Sequence, residues 1–311
     1  MNETIYKYDY AVVVPVFEND ELLIELANLI KETFKNLNKS YQLILVDDSK
    51  TNRSWQFVQQ IYQQQPDIVT AIRLNRNYGQ HNATLCGFQF IEAPWVITLD
   101  DDLEITPDQI PVLIERQKET EADVVSGAFR REKRSWFLNQ LNKLFVNSGE
   151  KIKEEKSTKS SFRLIRKKFA DRLLDFPHHF IFIDRVLMWY TQAIEYVEVR
   201  HQPSKKPLSG YEGKGIIELL SNILFFFSSI PIKAMTYFSF VLSLLTFSFG
   251  IFRLYKKVYF NVPLGYTSII VAILFSTSII LFALGIIGEY LRRIYAILNH
   301  QPTFEIKKIL Q

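Results

Sequence analysis

The stretch Trp95-Val96-Ile97-Thr98-Leu99-Asp100-Asp101-Asp102-Leu103 decides the fold. Its first half is short, apolar and partly β-branched, as expected of a strand buried on both faces. Its second half sets three carboxylates side by side. Adjacent carboxylates repel one another, and a turn gains little from them. A divalent cation accounts for them better, because Mg²⁺ and Mn²⁺ take hard oxygen ligands and share them with substrate phosphates. Side chains of an extended segment alternate, so Asp100 and Asp102 are expected on one side and Asp101 on the other. Taken alone, the Asp-x-Asp pattern is also compatible with an ordinary turn.

Four further runs upstream and downstream have the same strand character: Tyr10–Val16, Leu43–Val46, Val69–Leu74 and Ala122–Val125. Between the first two, Leu22, Leu26 and Leu29 recur at helical spacing. Thr106–Thr120 starts with Thr106 as N-cap, Pro107 at the first helical position and Gln109 at the capping-box position. This alternation predicts an α/β fold with an open, mostly parallel sheet and helices on both faces. Sheets of that kind bind ligands beyond the carboxyl ends of their strands. Asp47, Asp48, Asp100 and Asp102 all fall at such ends.

Asp47-Asp48 reads either as an Asx-turn or as a receiver for a base N–H or ribose hydroxyl. Pro15, Phe17 and Glu18 lie where a base could rest against the end of the first strand. The polar run Asn75–Asn82 leads into a helix carrying Cys86 and Gly87. Arg76 suits phosphate, and N–H groups at a helix start favour anions. His81 reads as a capping or surface histidine rather than a general base. Asn147–Ser161, rich in Lys, Glu and Ser, reads as a solvated loop, with a mobile lid over a phosphate-bearing ligand as the alternative.

Composition changes near residue 215. Ala234–Leu254 and Tyr266–Ile287 are apolar runs of about 21 residues, with Arg253 at the edge of the first, long enough to cross a bilayer. Arg200, Lys205, Lys206, Lys214 and Lys233 precede the pair, and Arg292, Arg293, Lys307 and Lys308 follow it. Lys256 and Lys257 sit in the short connection. The positive-inside rule therefore predicts a cytoplasmic domain over 1–214, spans at 234–254 and 266–287, and a cytoplasmic tail over 288–311. Ile216, Leu219, Leu220, Ile223 and Phe227 predict an interfacial amphipathic helix within 215–233. A net charge of +4 is too weak to argue for nucleic acid. The single cysteine excludes an internal disulfide and a cysteine zinc cluster. No signal peptide is expected from the opening MNETIYKYDY.

These features follow the order of the family 2 glycosyltransferases that act on polyprenyl phosphates, and the sequence resembles that family over nearly its whole length. Val13-Val14-Pro15-Val16-Phe17 is similar to the family's V-V-P-V-Y, and Leu45-Val46-Asp47-Asp48-Ser49 to V-D-D-G-S. Leu74-Asn75-Arg76-Asn77-Tyr78-Gly79-Gln80-His81 resembles the aminoarabinose-transferase branch. Asp100-Asp101-Asp102-Leu103-Glu104 stands for D-A-D-L-Q, Phe162-Arg163-Leu164 for F-R-L, and Gly285–Tyr295 for G-I-I-G-E-Y-L-G-R-I-Y. Two segments depart from the pattern. Glu18-Asn19-Asp20 replaces N-E-E, and Ser204–Tyr211 lacks the arginine and glycine of R-x-x-G-x-S-K-Y.

The resemblance implies a GT-A fold and inverting transfer of a sugar from a nucleotide, UDP in preference to GDP, to polyprenyl phosphate at a membrane. Asp100 and Asp102 would hold Mg²⁺ or Mn²⁺ and, with Arg163, act in catalysis. Pro15, Phe17, Glu18, Asp47, Asp48, Arg76, Asn77, Gly79 and Asp101 would hold the nucleotide sugar. Arg130, Arg134, Lys205, Lys206, Ser209 and Tyr211 would hold the acceptor phosphate. Partners are the nucleotide sugar, the polyprenyl phosphate and membrane lipid; a homo-oligomer is compatible with this reading. The alternatives are transfer to a lipid-linked saccharide and a non-catalytic membrane binding protein of the same fold.

Overall fold

The computed structural model describes residues 6–19, 21–130, 157–175, 183–202, 265–298 and 302–311, with single positions between 237 and 259. The chain forms two compact units. One comprises Met1–Gly210 with Gln301–Gln311, the other Tyr211–His300.

The first unit is built on one eight-stranded sheet. Its strands are β1 (Tyr10–Val16), β2 (Tyr41–Asp47), β3 (Val69–Leu74), β4 (Trp95–Thr98), β5 (Val124–Arg130), β6 (Ser157–Arg166), β7 (Ile194–Glu198) and β8 (Ile306–Leu310). They lie in the order β7-β5-β6-β4-β1-β2-β3-β8. The β1–β2, β2–β3, β1–β4 and β5–β7 pairs are parallel. The β4–β6, β5–β6 and β3–β8 pairs are antiparallel. β1 lies among the central strands and every residue of it is buried, as its unbroken apolar run requires.

The helices are α1 (Glu21–Leu37), α2 (Arg53–Gln64), α3 (Gln80–Phe88), α4 (Ile110–Thr120), α5 (Lys167–Leu174) and α6 (Ile183–Tyr190). α1 buries Leu23, Leu26, Ala27, Ile30 and Phe34, one position round from the face marked by Leu22 and Leu29. α3 packs closely on the sheet at Gly87, where a Cβ would come within 2.4 Å of Val13 Cγ1. Thr106 does precede a helical turn, a short 3₁₀ segment Pro107–Gln109 that runs into α4. Its hydroxyl bonds Asp108 rather than a backbone N–H.

Two expectations change. The expected loop Asn147–Ser161 overlaps β6, whose Ser157, Thr158 and Lys159 pair with Arg130, Phe129 and Ala128; residues 147–156 lie outside the described ones. The expected tail over 288–311 contains regular structure. Its start continues α7 (Tyr266–Leu298), and its end returns as β8 along β3. Polar Ser and Lys residues hid β6, because ladder pairing to β5 and β4 rewards the backbone whatever the side chain.

α7 is a 33-residue helix, about 50 Å long, and contains the expected span 266–287. Ile273, Phe275, Phe282 and Leu291 on it are exposed. Among the described residues, no helix is long and apolar enough to cross a membrane. The expected interfacial helix over 215–233 lies outside the described residues, and the span over 234–254 does so except at single positions.

Candidate active site at the carboxyl ends of the strands

β4 stops at Thr98 and delivers Asp100–Asp102 to the edge of a cavity of about 200 Å³. Asp100, Asp102, Glu104, Phe129, Ser160, Ser161 and His201 line it, and Asp101 does not. The expected alternation therefore holds. Asp100 accepts hydrogen bonds from Gln80 Nε2 and Ser161 Oγ. Burial pushes its carboxyl up to about 6, with Asp102 and Asp101 adding to the rise and Ser161 and Arg163 opposing it. Asp102 Oδ1 accepts the Glu104 backbone N–H at 3.0 Å, closing a tight turn in which Leu103 takes a positive φ of 57°. Across the cavity, His201 stacks on Phe129 at 4.0 Å and lies 3.0 Å from Glu104 Oε2.

Asp101 turns to the interior and is 7% exposed. Its carboxylate accepts the Phe17 N–H at 3.0 Å, and its carbonyl accepts from Asn19 Nδ2. It thereby ties the end of β1 to the end of β4. Pro15 is buried in β1, whereas Phe17 is 40% exposed. Glu18, at φ 47°, accepts from Lys50 N–H and Thr51 Oγ1, both at 3.0 Å. Asp47 is fully buried, with Oδ1 3.2 Å from the Ser49 N–H and Oδ2 3.4 Å from Arg73 Nε.

Asp48 holds the loop after β3. Its two oxygens accept the N–H groups of Tyr78 and Gly79, each at 2.7 Å, and its carbonyl accepts from Asn77 Nδ2. Burial still raises its carboxyl to about 6. Gly79 has φ +89°, a conformation that side-chain-bearing residues rarely adopt. Arg76 is exposed just before these anchors, its guanidinium 4.8 Å from the Tyr78 ring centre. His81 is pushed down to about 4 by burial, with Arg163 adding to the fall, so it is neutral at pH 7.

Arg163 is 3% exposed. Its Nε and Nη2 grip Asp184 at 2.5 and 2.7 Å, and Nη1 donates to the Ser161 carbonyl at 2.8 Å. This fork pins β6 to α6 and orients Ser161 toward Asp100. Arg130 ends β5, with its side chain outside the described residues, as are Arg134, Lys205, Lys206, Ser209 and Tyr211. Sequence reasoning missed Ser161, Glu104, His201 and Asp184 as site neighbours. Ser161 and Glu104 adjoin recognisable motifs; Asp184 and His201 carry no local signal.

Among the described residues, no group of three or more His, Cys, Asp or Glu could hold a metal ion. The two carboxylates of Asp100 and Asp102 nevertheless fit Mg²⁺ or Mn²⁺, which bind through one or two carboxylates and take the remainder from phosphate and water.

The profile of glycosyl transferase family 2 matches residues 11–190, all within the first unit. The chain belongs to glycosyl transferase family 2. This glycosyltransferase has the GT-A, Rossmann-like sheet of that family. It is similar to the undecaprenyl-phosphate 4-deoxy-4-formamido-L-arabinose transferase of Proteus mirabilis, with 29% identity over 96% of this chain and 93% of that protein. It is 26% identical to the same-named transferase of Edwardsiella ictaluri over 97% of this chain and 94% of that one. Among solved structures, S. aureus TarS 1-349 in complex with UDP-GlcNAc aligns with 16% identity and a TM-score of 0.44, over 70% of this chain and 66% of that one.

Proposed function

We propose that this glycosyltransferase transfers a sugar from a nucleoside diphosphate, UDP in preference to GDP, to a polyprenyl phosphate with inversion at the anomeric carbon. One observation carries the reading. The family domain ends at residue 190, yet the relatives named as undecaprenyl-phosphate transferases align over 96–97% of the chain, its apolar helical unit included. A lipid-borne acceptor explains why an apolar unit accompanies the catalytic one.

In this mechanism an oxygen of the acceptor phosphate attacks the anomeric carbon, the bond from that carbon to the diphosphate breaks, and the nucleoside diphosphate leaves. The acceptor is already ionised near neutral pH, so no strong general base is needed, and His81 has no proton-transfer role. A bound Mg²⁺ or Mn²⁺ supplies charge neutralisation on the leaving diphosphate. Asp100 and Asp102 would hold it. Ser161 and Gln80 fix the Asp100 oxygens, and Arg163 fixes Ser161. Arg76 meets the diphosphate by charge-assisted hydrogen bonds from a loop that Asp48 holds in place. Glu18, Asp47 and Phe17 border the nucleoside end.

The membrane arrangement belongs to the same proposal: two spans, with the catalytic unit in the cytoplasm. The chain leaves the first unit after Gly210 and rejoins its sheet at β8, which supports an even number of crossings. The test is mass spectrometry of lipid products after incubating membranes with a panel of nucleotide sugars, UDP-4-deoxy-4-formamido-L-arabinose among them. The expected product is a monosaccharide on polyprenyl phosphate, and NMR of its anomeric proton reads the stereochemistry. A longer lipid-linked oligosaccharide as the first product would overturn the acceptor; retained configuration would overturn the inversion.

A further inference from the structure

The polar loop Asn75–Gly79 carries Arg76, and the structure secures it at both ends by different means. Asp48 holds the far end through the Tyr78 and Gly79 N–H groups. The near end is held from the opposite terminus of the chain. The Asn75 N–H donates to the Glu305 carbonyl at 2.9 Å, and Asn75 Nδ2 lies 3.4 Å from Glu305 Oε2. β8 then runs antiparallel to β3, pairing Leu74 with Ile306, Arg73 with Lys308, Ile72 with Ile309 and Ala71 with Leu310. The register shifts between Arg73 and Leu74, at the point where the strand gives way to the loop. Phe304 and Ile306 pack into the same apolar cluster as Tyr78, over which the Arg76 guanidinium sits. At the other end of the strap, Tyr62 donates its hydroxyl proton to the Gln311 carbonyl at 3.1 Å.

We propose that the segment Phe304–Leu310 is a positioning strap for the donor loop: by binding Asn75 and packing against the apolar cluster that also takes Tyr78, it sets where Arg76 meets the diphosphate of the nucleotide sugar. The proposal rests on the reading of the Arg76 loop as the donor-phosphate site. The physical argument is entropic. An exposed loop fixed at one end alone samples many positions of its central residue, and ordering it on binding costs affinity. Fixing the second end removes that cost before the ligand arrives. A strand that merely covered a sheet edge would need neither the Asn75 bond nor the register shift beside it. The strap also follows α7 directly in the chain, since only residues 299–303 separate them. The helix proposed to cross the membrane thus leads straight into a donor-site element.

The experiment uses the full chain purified in neutral detergent, with UDP and Mg²⁺ as the probe in calorimetric titration. Two variants loosen the strap: Ile306→Asp, and a chain ending at Thr303. The conservative Ile306→Val serves as rescue, and Arg76→Ala reports on the donor site itself. Circular dichroism and thermal unfolding establish that each is folded at the titration temperature. The expected result is a roughly tenfold weaker UDP affinity in Ile306→Asp and in the shortened chain, near wild-type affinity in Ile306→Val, and an unchanged apparent KM for polyprenyl phosphate. A purely structural strand would lower the unfolding temperature and leave UDP affinity at the wild-type value. That outcome, found in Ile306→Asp while Arg76→Ala weakens UDP, overturns the strap alone. Wild-type UDP affinity in Arg76→Ala overturns the donor reading beneath it. If the shortened chain does not fold, Ile306→Asp decides.

Discussion

The turn after β2 and the turn after β4 both carry adjacent aspartates, yet they use them differently. After β2, Asp48 spends both oxygens on backbone N–H groups of the next loop, and Asp47 on Ser49 and Arg73. After β4, Asp101 is spent in the same way on the end of β1, while Asp100 and Asp102 line a cavity. A carboxylate satisfied by rigid backbone donors builds the site. Asp100, held by side chains with like charge beside it, is the carboxylate proposed to take a cation, together with Asp102, one oxygen of which also accepts the Glu104 N–H. Residue type and position at a strand end are the same in both turns; the direction of the side chain separates the tasks.

The sharpest way to break this contrast is Asp102→Asn. Transfer is expected to fall by about 10³-fold, on the scale of losing a stabiliser of leaving-group charge, while the unfolding temperature stays close to wild type. Near-normal turnover at saturating Mg²⁺ or Mn²⁺ would return the β4 turn to the scaffolding class.

Arg163 tests the other side. Removing its charge in Arg163→Met leaves Asp184 without its buried partner and should cost about 3 kcal/mol in denaturant unfolding. Pairing it with Asp184→Leu should recover most of that stability while transfer stays low, because the double variant still lacks the Arg163 bond to the Ser161 carbonyl. Recovery of transfer along with stability would show that the hold on Ser161 is not needed.

Asp48→Ala leaves two N–H groups of the Arg76 loop without their acceptor. A loss of about 2 kcal/mol is expected, together with weaker UDP binding. If UDP binding weakens with no change in stability, the carboxylate itself touches the nucleotide.

The smallest effect is a pH dependence. The folded-state pKa of Asp100, about 6, lies above its unfolded value near 3.8. The folded protein therefore binds more protons between those values, and metal-free stability falls as pH rises from about 4 to about 6. A cation competes with that proton. The unfolding-temperature difference between Mg²⁺ and EDTA samples should grow over the same window and flatten above it, and the growth should disappear in Asp100→Asn. An equal difference at pH 5 and pH 7 would place the cation elsewhere.

The sequence by itself determined the parallel half of the sheet. Tyr10–Val16 and Val69–Leu74 match β1 and β3 to the residue, because strands buried on both faces must be apolar throughout and polar residues mark their ends. The expected alternation of Asp100 and Asp102 against Asp101 also appears, although the structure sets it by a tight turn after β4 rather than by an extended strand. The sequence did not mark β6 or β8, whose Lys- and Ser-bearing residues pair through the backbone, nor Asp184 and His201, which reach the site from distant parts of the chain. Only the tertiary structure decided which of the adjacent carboxylates are spent on backbone donors. Only it brought Glu305 to Asn75 across 230 positions of sequence. The physical reason is one of range. Burial and alternation act between neighbours along the chain and leave a pattern there, whereas a hydrogen bond to a remote carbonyl leaves no mark on the residue that provides it.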